Sequence, residues 1–214
     1  AAGGESLLEV ESLEHRYPDG TEALAGVSCA IRRGEFVAIL GRNGSGKTTL
    51  VKHLNGILRP SAGDIRVRGK SLLGEPPAAL SRRVGLVFQN PDHQIFHERV
   101  WDEVAFGPRL QGLGAAEVRS RVEEALAAVG LTGMEETDPF ILTKGGRQRV
   151  AVASTLATKP EVIILDEPTT GLDHAELTGM MGLIRRLHEG GHTIVIITHA
   201  MDIAAAYAGR TILM

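Results

Sequence analysis

The chain has 214 residues, of which 43% are hydrophobic and 23% are charged, and its formal net charge is −3. This composition is typical of a globular protein, and the slightly acidic charge argues against a nucleic-acid-binding surface. Cys29 is the only cysteine, which excludes an intramolecular disulfide framework and a cysteine-rich metal site. No apolar run approaches the roughly 20 residues of a membrane-spanning helix, and no signal peptide is expected at Ala1–Glu5. Any attachment to a membrane is therefore expected to go through a partner.

The first part of the chain predicts strands that lead into a phosphate-binding loop. Residues 7–17 and 21–32 are predicted to form two strands around a Pro-Asp-Gly turn, and Phe36–Leu40 a buried strand. The next residues match G-x-x-x-x-G-K-[ST] and continue with a second threonine: Gly41, Arg42, Asn43, Gly44, Ser45, Gly46, Lys47, Thr48 and Thr49. A helix predicted over 47–55, with Gly56 as its stop, completes the strand, loop and helix context of this motif.

This loop has the chemistry of a binding site for nucleotide phosphates. Successive backbone N–H groups around its glycines can surround the phosphate oxygens, and the positive end of the helix dipole points at the same anion. Lys47 supplies a positive charge for the β- and γ-phosphates, and the Thr48 hydroxyl is placed to bind Mg²⁺. ATP and Mg²⁺ are the expected ligands.

The rest of the chain predicts alternating strands and helices around a helical insert. Further strands are expected at residues 65–68, 84–88, 161–165 and 193–198. The insert covers residues 90–145, with an amphipathic helix over 115–129 and loop breaks at Pro91, Pro108, 112–114 and 138–139. A later helix is marked by four apolar residues at helical spacing: Leu177, Met181, Ile184 and Leu187. This alternation predicts an α/β fold with a mostly parallel sheet, whose ligands bind at the carboxyl ends of the strands.

Polar side chains follow three of the predicted strands at that edge: Gln89, Asp166, Glu167 and His199. Asp166 can hold Mg²⁺, directly or through water, and Glu167 can orient and deprotonate a water molecule for in-line attack on the γ-phosphate. Gln89 could reach the metal or the attacking water, and His199 could contact the γ-phosphate. With Lys47, the residues Glu167 and His199 are the candidate catalytic groups.

The motifs, and their order along the chain, resemble those of the ATP-binding cassette (ABC) ATPases of membrane transporters. The resemblance implies the ABC form of the P-loop NTPase fold, with a mostly parallel core sheet, an N-terminal antiparallel β subdomain and an inserted helical subdomain. It implies one domain over 1–214, with a nucleotide-binding core at 7–89 and 146–214 and the helical subdomain at 90–145. It assigns Tyr17 to adenine stacking, Gly41–Thr49 to Walker A, Gln89 to the Q-loop, 142–149 to the signature, 162–167 to Walker B, Asp173 to the D-loop and His199 to the switch. The implied Mg²⁺ ligands are Thr48, Gln89 and Asp166.

The signature segment departs from the family pattern. Where the family has Leu-Ser-Gly-Gly-Gln, this chain has Leu142-Thr143-Lys144-Gly145-Gly146. Thr143 keeps a hydroxyl and Gly145 keeps a backbone N–H that can approach phosphate, whereas Lys144 replaces a glycine and Gly146 a glutamine. In the family this segment completes the ATP site of the partner subunit. Lys144 could therefore add a charge beside that γ-phosphate or block close backbone approach, and we expect function to be retained.

A narrower resemblance follows Gln89. The segments 87–96 and 102–108 resemble the ATPase subunits of energy-coupling factor transporters, which import cobalt, nickel and vitamins. The resemblance implies a second ATPase subunit, a homodimer being expected, which closes around two ATP molecules. It also implies a transmembrane coupling protein that docks on 90–145, a solute-binding membrane protein, and a peripheral location on the cytoplasmic face of the membrane. Cobalt or nickel is the favoured solute and a vitamin the alternative, and a further C-terminal segment is expected after Met214.

Three other functions share some of these features. A conventional ABC transporter ATPase has the same core motifs, and only the segment after Gln89 argues against it. A soluble ABC ATPase acting on nucleic acid or ribosomes is disfavoured because no coiled-coil or zinc insert and no tandem cassette is recognised. A regulatory subunit that barely hydrolyses ATP is disfavoured by Glu167 and His199. His93 and His97 have the i, i+4 spacing of a metal-binding pair, but two ligands alone do not make a site.

Overall fold

Strands and helices alternate through the chain, as the sequence predicts. The computed structural model describes residues 6–80 and 82–214. In this part the strands are β1 (Ser6–Arg16), β2 (Glu22–Arg32), β3 (Phe36–Leu40), β4 (Ala62–Val67), β5 (Lys70–Ser71), β6 (Val84–Val87), β7 (Val162–Asp166), β8 (Thr193–Thr198) and β9 (Arg210–Leu213). The helices are α1 (Lys47–Leu54), α2 (Pro77–Leu80), α3 (Val100–Leu110), α4 (Ala115–Val129), α5 (Lys144–Ala157), α6 (His174–Glu189) and α7 (Met201–Tyr207). None of the helices described combines the length and apolar character needed to cross a membrane.

The strands form one antiparallel and one parallel sheet in the described part of the chain. The antiparallel sheet has the order β2-β1-β4-β5, and the other has the order β6-β7-β8-β3-β9 with parallel pairing throughout. The predicted combination of a mostly parallel core sheet with an N-terminal antiparallel subdomain is therefore confirmed.

Both faces of the parallel sheet are covered, which explains the continuous apolar runs of its strands. On β7, Ile163 and Leu165 pack in a cluster with the helices of the insert and α6, whereas Val162 and Ile164 pack in a second cluster with α1 and the antiparallel sheet. A strand buried on both faces has no polar side to alternate with. The central strands β3 and β8 have the predicted bounds because turn signals end their apolar runs.

The insert is a layer of packed helices. Helices α3 and α4 of the insert pack against each other and against α5, which follows the insert, and the predicted apolar face of α4 is buried at Val118, Val122, Leu126 and Val129. Helix α4 ends where Gly130 takes a left-handed φ of 74°. Helix α5 begins at Lys144, so the boundary predicted between residues 145 and 146 falls inside a helix.

One predicted loop break is wrong, because Pro108 lies inside α3. Proline removes one intrahelical hydrogen bond and normally disrupts a helix interior. Here only two residues of the helix follow it, and the buried side chains of Val104 and Ala105 anchor the preceding turn against α5. Tertiary packing therefore outweighs the local cost of the proline.

The register of the parallel sheet brings the predicted polar positions to one edge. Leu40 pairs with Thr198 across β3 and β8, and Asp166 pairs with Ile197 across β7 and β8. The phosphate loop after β3, Gln89 after β6, Asp166 at the end of β7 and His199 after β8 therefore lie at the same carboxyl edge.

Candidate active site

The loop after β3 has a backbone that only glycine accommodates at two positions. Gly44 and Gly46 have φ values of 83° and 91°, in the left-handed region. A Cβ atom on Gly46 would lie 2.4 Å from the Ala23 carbonyl oxygen, and one on Gly41 would lie 2.4 Å from Ser45 Oγ. The glycines of the motif therefore serve both conformation and close packing of the loop.

Lys47 lies at the start of α1 and points back into the loop. The residue is 8% exposed, and its Nζ donates to the carbonyl oxygens of Gly41 (2.8 Å) and Arg42 (2.9 Å). Ser45 Oγ is buried and has no hydrogen-bond partner within residues 6–80 and 82–214, and the first turn of α1 contains no acidic residue. An unpartnered hydroxyl, a buried ammonium and a positive helix terminus make a cradle that fits a phosphate group.

A cavity of about 530 Å³ at this edge brings most of the predicted site residues together. This volume is within the range of small-molecule binding sites. The predicted residues that line it are Tyr17, Asn43, Gly44, Gly46, Lys47, Thr48, Thr49, Gln89, Asp166, Glu167 and His199. Three lining residues were not predicted: Thr21, Glu22 and Ala23. The signal that could have identified them is their position directly after the turn that follows Tyr17.

Tyr17 forms the wall of the cavity at the end of β1. Its hydroxyl lies 3.0 Å from Thr49 Oγ1, which fixes the tyrosine against α1. The edge of the ring meets His15 at a centroid distance of 4.6 Å. The tyrosine is thus held on two sides, an arrangement suited to an aromatic that stacks on a base.

His15 and His53 form a buried histidine pair behind Tyr17. His53 Nδ1 lies 2.7 Å from the Thr49 carbonyl oxygen and must donate to it, so Nε2 of the neutral ring accepts from His15 Nδ1 at 3.1 Å. This assignment leaves His15 Nε2 as a buried acceptor with no partner among the described residues. Burial lowers the pKa of His53 below its ordinary value, and the neighbouring His15 lowers it further, against the Thr49 hydrogen bond.

Asp166 and Glu167 lie at the carboxyl end of β7. Asp166 is buried, which raises the pKa of its carboxyl group above the ordinary value; the charge of Glu167 adds to this shift and Lys47 opposes it. Asp166, Thr48 and Gln89 offer a carboxylate, a hydroxyl and an amide oxygen to the same cavity. This donor set fits the oxygen ligands that Mg²⁺ prefers.

Glu167 has a left-handed backbone, with a φ of 47° that is unusual for a residue with a side chain. Its N–H donates to the Ile197 carbonyl oxygen at 2.9 Å, which ties it to β8. Its carboxylate is held from both sides, because Oε1 lies 2.9 Å from His199 Nδ1 and Oε2 accepts from Thr170 Oγ1 at 3.1 Å. The carboxylate is therefore held in one orientation in the lining of the cavity.

His199 follows β8 and reaches the cavity from the solvent side. Its side chain is 65% exposed, whereas that of Glu167 is 13% exposed. Since an ionised carboxylate only accepts hydrogen bonds, Nδ1 is the donor to Glu167. None of the residues that the structure describes occupies Nε2, so this ring could join Glu167 to a phosphate group.

The signature and D-loop residues lie apart from this cavity; Thr143, Lys144, Gly145, Gly146 and Asp173 do not line it. Thr143 is the N-cap of α5, and its Oγ1 accepts from the Gly146 N–H at 3.1 Å. Lys144 Nζ donates to the Thr170 carbonyl oxygen at 2.8 Å, and the Gly145 N–H donates to Glu176 Oε1 at 3.3 Å. The structure thus shows a third arrangement for Lys144, a contact with its own chain.

His93 and His97 do not form the helical pair that their spacing suggested. His93 ends a short 3₁₀ turn, Pro91–His93, and His97 lies beyond it, with Nδ1 3.0 Å from Glu103 Oε2. No cluster of three or more metal-ligating side chains occurs within residues 6–80 and 82–214.

The geometry defines a class of protein. A glycine-rich phosphate loop, a buried carboxylate beside an oriented glutamate and a histidine meet at the carboxyl edge of a parallel sheet. This is the arrangement of a nucleotide-binding cassette with the P-loop fold. The family model described as ABC transporter matches residues 24–170, and the chain belongs to this family.

Two relatives are similar to this chain over nearly its whole length. The putative ABC transporter ATP-binding protein TTE1589 of Caldanaerobacter subterraneus subsp. tengcongensis is 53% identical over 211 residues, which cover 99% of this chain and 37% of that protein. The energy-coupling factor transporter ATP-binding protein EcfA of Methanocaldococcus jannaschii is 47% identical over 210 residues, which cover 97% of this chain and 75% of that protein. The chain thus spans little more than a third of the first relative.

Two solved structures share the fold. The cbiO1 protein from Clostridium perfringens, described as part of the ABC transporter complex cbiONQ, superposes with a TM-score of 0.89 at 40% identity, covering 98% of this chain and 85% of that chain. The ATP-binding cassette MJ0796, in a dimeric post-hydrolysis state bound to ADP and Pi, superposes with a TM-score of 0.85 at 28% identity, covering 97% and 94%.

Proposed function

We propose that this chain is the ATP-hydrolysing subunit of an energy-coupling factor transporter that imports cobalt or nickel. The observation that carries the hydrolytic part is the orientation of Glu167 between His199 and Thr170 in the lining of the phosphate-loop cavity. The transporter class is supported by the identity to EcfA and the likeness to cbiO1. The choice of solute rests only on the resemblance of the segment after Gln89.

In the proposed reaction, ATP is the substrate and water the nucleophile. The loop N–H groups and Lys47 hold the phosphates. Glu167 takes a proton from the water as its oxygen bonds to the γ-phosphorus, and the bond from that phosphorus to the bridging oxygen breaks to give ADP and phosphate. Mg²⁺, held by Thr48, Gln89 and Asp166, would neutralise charge on the phosphate oxygens. His199 orients Glu167 and offers its free ring nitrogen to the γ-phosphate.

The proposed active form is a homodimer that closes around two ATP molecules. The support is that the signature residues 143–146 lie outside the cavity of their own chain, so one chain offers only half of each site. The cassette MJ0796, solved as a dimer with ADP and Pi, supports this arrangement by likeness. In the dimer, the signature of one chain would face the phosphate loop of the other.

The proposed membrane partner is a coupling protein that docks on the insert, residues 90–145. Phe96 is 59% exposed and stacks edge-on with Phe106 at 4.9 Å, and Leu110 is also exposed. An apolar group of this kind on the surface is typical of a protein-binding site. Through this partner, and with a solute-binding membrane protein, the ATPase would be held peripherally on the cytoplasmic face of the membrane. We propose no nucleic-acid partner.

The hydrolytic proposal is tested with Glu167→Gln. Removal of the base is expected to lower kcat for ATP at least about 100-fold, because general base catalysis contributes on the order of 10²–10⁴. ATP binding is retained, so Mg-ATP is expected to trap a dimer that light scattering detects. A full-length variant that stays monomeric with saturating Mg-ATP argues against the closed dimer, and unchanged turnover argues against Glu167 as the base.

The transporter class is tested by affinity purification of the full-length protein from its own detergent-solubilised membranes, followed by mass spectrometry. A small coupling protein together with a solute-binding membrane protein is the expected result, and the identity of the latter indicates cobalt, nickel or a vitamin. A conventional permease, or soluble partners alone, would reject the energy-coupling class and leave an ABC ATPase of another kind.

A further inference from the structure

Lys144, which stands where the family has a glycine, contacts a turn of its own chain. Its Nζ donates to the Thr170 carbonyl oxygen at 2.8 Å. It also lies against the neighbouring backbone, since a Cβ atom on Gly171 would come within 2.6 Å of the same nitrogen. The half-buried ammonium therefore fixes the segment that connects Glu167 to the D-loop Asp173.

The turn that Lys144 fixes is the one that holds Glu167. The Thr170 N–H donates to the Glu167 carbonyl oxygen at 3.1 Å and closes the turn. The Thr170 hydroxyl donates to Glu167 Oε2, also at 3.1 Å. Thr170 thus binds both the backbone and the carboxylate of a residue whose left-handed φ is sustained only by surrounding contacts.

We propose that Thr170 and Lys144 are positioning residues for Glu167, so that the unusual lysine of the signature supports hydrolysis in its own chain. This inference rests on the proposed function, because it assigns Glu167 the role of general base. Thr170 occupies one lone pair of Oε2 while His199 faces Oε1, which restricts rotation of the carboxylate. Lys144 acts one step further away, by holding the carbonyl group of Thr170 and with it the position of the hydroxyl.

This role differs from an action of Lys144 on the ATP bound to the partner chain. A lysine that contacts a phosphate strengthens ATP binding directly and acts independently of Thr170. A lysine that acts through Thr170 changes kcat rather than KM, and it loses its effect once the Thr170 hydroxyl is gone. Measurements of kcat and KM therefore distinguish the two roles.

The experiment is steady-state Mg-ATP hydrolysis by the full-length protein with four variants: Thr170→Val, Thr170→Ser, Lys144→Met and the double variant Lys144→Met/Thr170→Val. Thr170→Val is expected to lower kcat about ten-fold with KM within about two-fold of the unmodified value, and Thr170→Ser to restore kcat. Lys144→Met is expected to lower kcat about three-fold, and the double variant to match Thr170→Val alone. Thr178→Val and Lys70→Met, which change the same residue types away from the site, are expected to leave kcat unchanged.

Several results would overturn the inference. Unchanged kcat in Thr170→Val shows that the hydroxyl does not position the base. A rise in KM with unchanged kcat in Lys144→Met, or a double variant whose losses multiply, places Lys144 on the partner's ATP instead. If Thr170→Val does not fold, as judged by its thermal transition, Lys144→Met alone tests the inference. A fall in kcat at constant KM then supports the positioning role, and a rise in KM at constant kcat rejects it. No turnover by the unmodified protein rejects the proposed function as well, whereas normal turnover with unaffected variants rejects only the positioning role.

Discussion

The Glu176 carboxylate accepts a hydrogen bond from the backbone N–H of Gly145, the group that the signature segment would use to bind phosphate in the proposed dimer. Asp173 caps α6 by accepting the Glu176 N–H at 2.8 Å, and the Asp-x-x-Glu spacing resembles a capping box. In that motif the glutamate side chain returns to the N–H of the cap residue. Here Glu176 Oε1 instead accepts from the Gly145 N–H at 3.3 Å. This N–H must be released before it can reach a γ-phosphate of the partner's ATP, so Glu176→Ala is expected to favour the ATP-bound dimer.

The size of the effect follows from the geometry of this contact. A hydrogen bond to a charged group contributes about 1.5–3 kcal/mol, but a donor–acceptor distance of 3.3 Å is longer than an ordinary bond, so we take about 1 kcal/mol for each chain. The favourable interaction of Glu176 with the dipole of α6 exists in both monomer and dimer and largely cancels. A symmetric dimer releases two such contacts, about 2 kcal/mol, which corresponds to roughly thirty-fold tighter dimerisation.

Analytical ultracentrifugation of the Glu167→Gln protein at saturating Mg-ATP measures this effect directly. Glu176→Ala is compared in that background with Glu189→Ala, which removes an exposed glutamate from the last turn of the same helix. Glu176→Gln keeps an acceptor but loses the charge, so an intermediate effect is expected. Dimerisation that is unchanged or weaker in Glu176→Ala refutes the reasoning, and weaker dimerisation means that Glu176 supports the signature rather than competing for it.

Two further predictions concern Tyr17 and the histidine pair behind it. The pKa of His53 is lowered by burial, so the unfolded chain binds this proton first as the pH falls; the stability due to the neutral ring is therefore present above about pH 6.5 and is lost below it. Urea unfolding at pH 7.5 and 5.5 is expected to show that the free energy of unfolding falls less at the lower pH in His53→Gln than in the unmodified protein. An equal fall in the two proteins would contradict the prediction. Tyr17→Ala is expected to raise KM for ATP about ten-fold with little change in kcat, since base stacking contributes about 1–3 kcal/mol. Tyr17→Phe is expected to stay near the unmodified KM, and an unchanged KM in Tyr17→Ala would exclude Tyr17 from adenine binding.

The ends of several strands and helices could be predicted because residues close to them in the sequence determine where they stop. The bounds of β3, α4 and β8 agree with the sequence because an apolar run or an amphipathic face ends at a glycine or a polar residue in each case. The gathering of Lys47, Asp166 and His199 at one cavity was predictable for a similar reason. Each follows a strand of a parallel sheet, and the carboxyl ends of such strands lie at the same edge.

The contacts that the sequence did not predict depend on residues far apart in the chain. Lys144 and Thr170 are 26 positions apart, and Gly145 and Glu176 are 31 positions apart. Nothing in either local pattern specifies that α5 and α6 begin next to each other. Pro108 was misassigned for the same reason, since the packing of α3 on α5 is what allows a proline near the helix end.

The contacts around the signature also connect the proposed docking surface to Glu167, the proposed general base. Arg147 on α5 binds Asp92, three residues after Gln89, at 2.6 Å, and also donates to the Leu142 carbonyl oxygen at 2.7 Å. A movement of the docked insert would therefore pass to the start of α5. Because Lys144 lies in the first turn of that helix and holds the turn that orients Glu167, the same movement would reach the base of its own chain while it carries the signature toward the partner. On the proposed function, closure of the dimer and preparation of Glu167 would then be two consequences of a single displacement of α5.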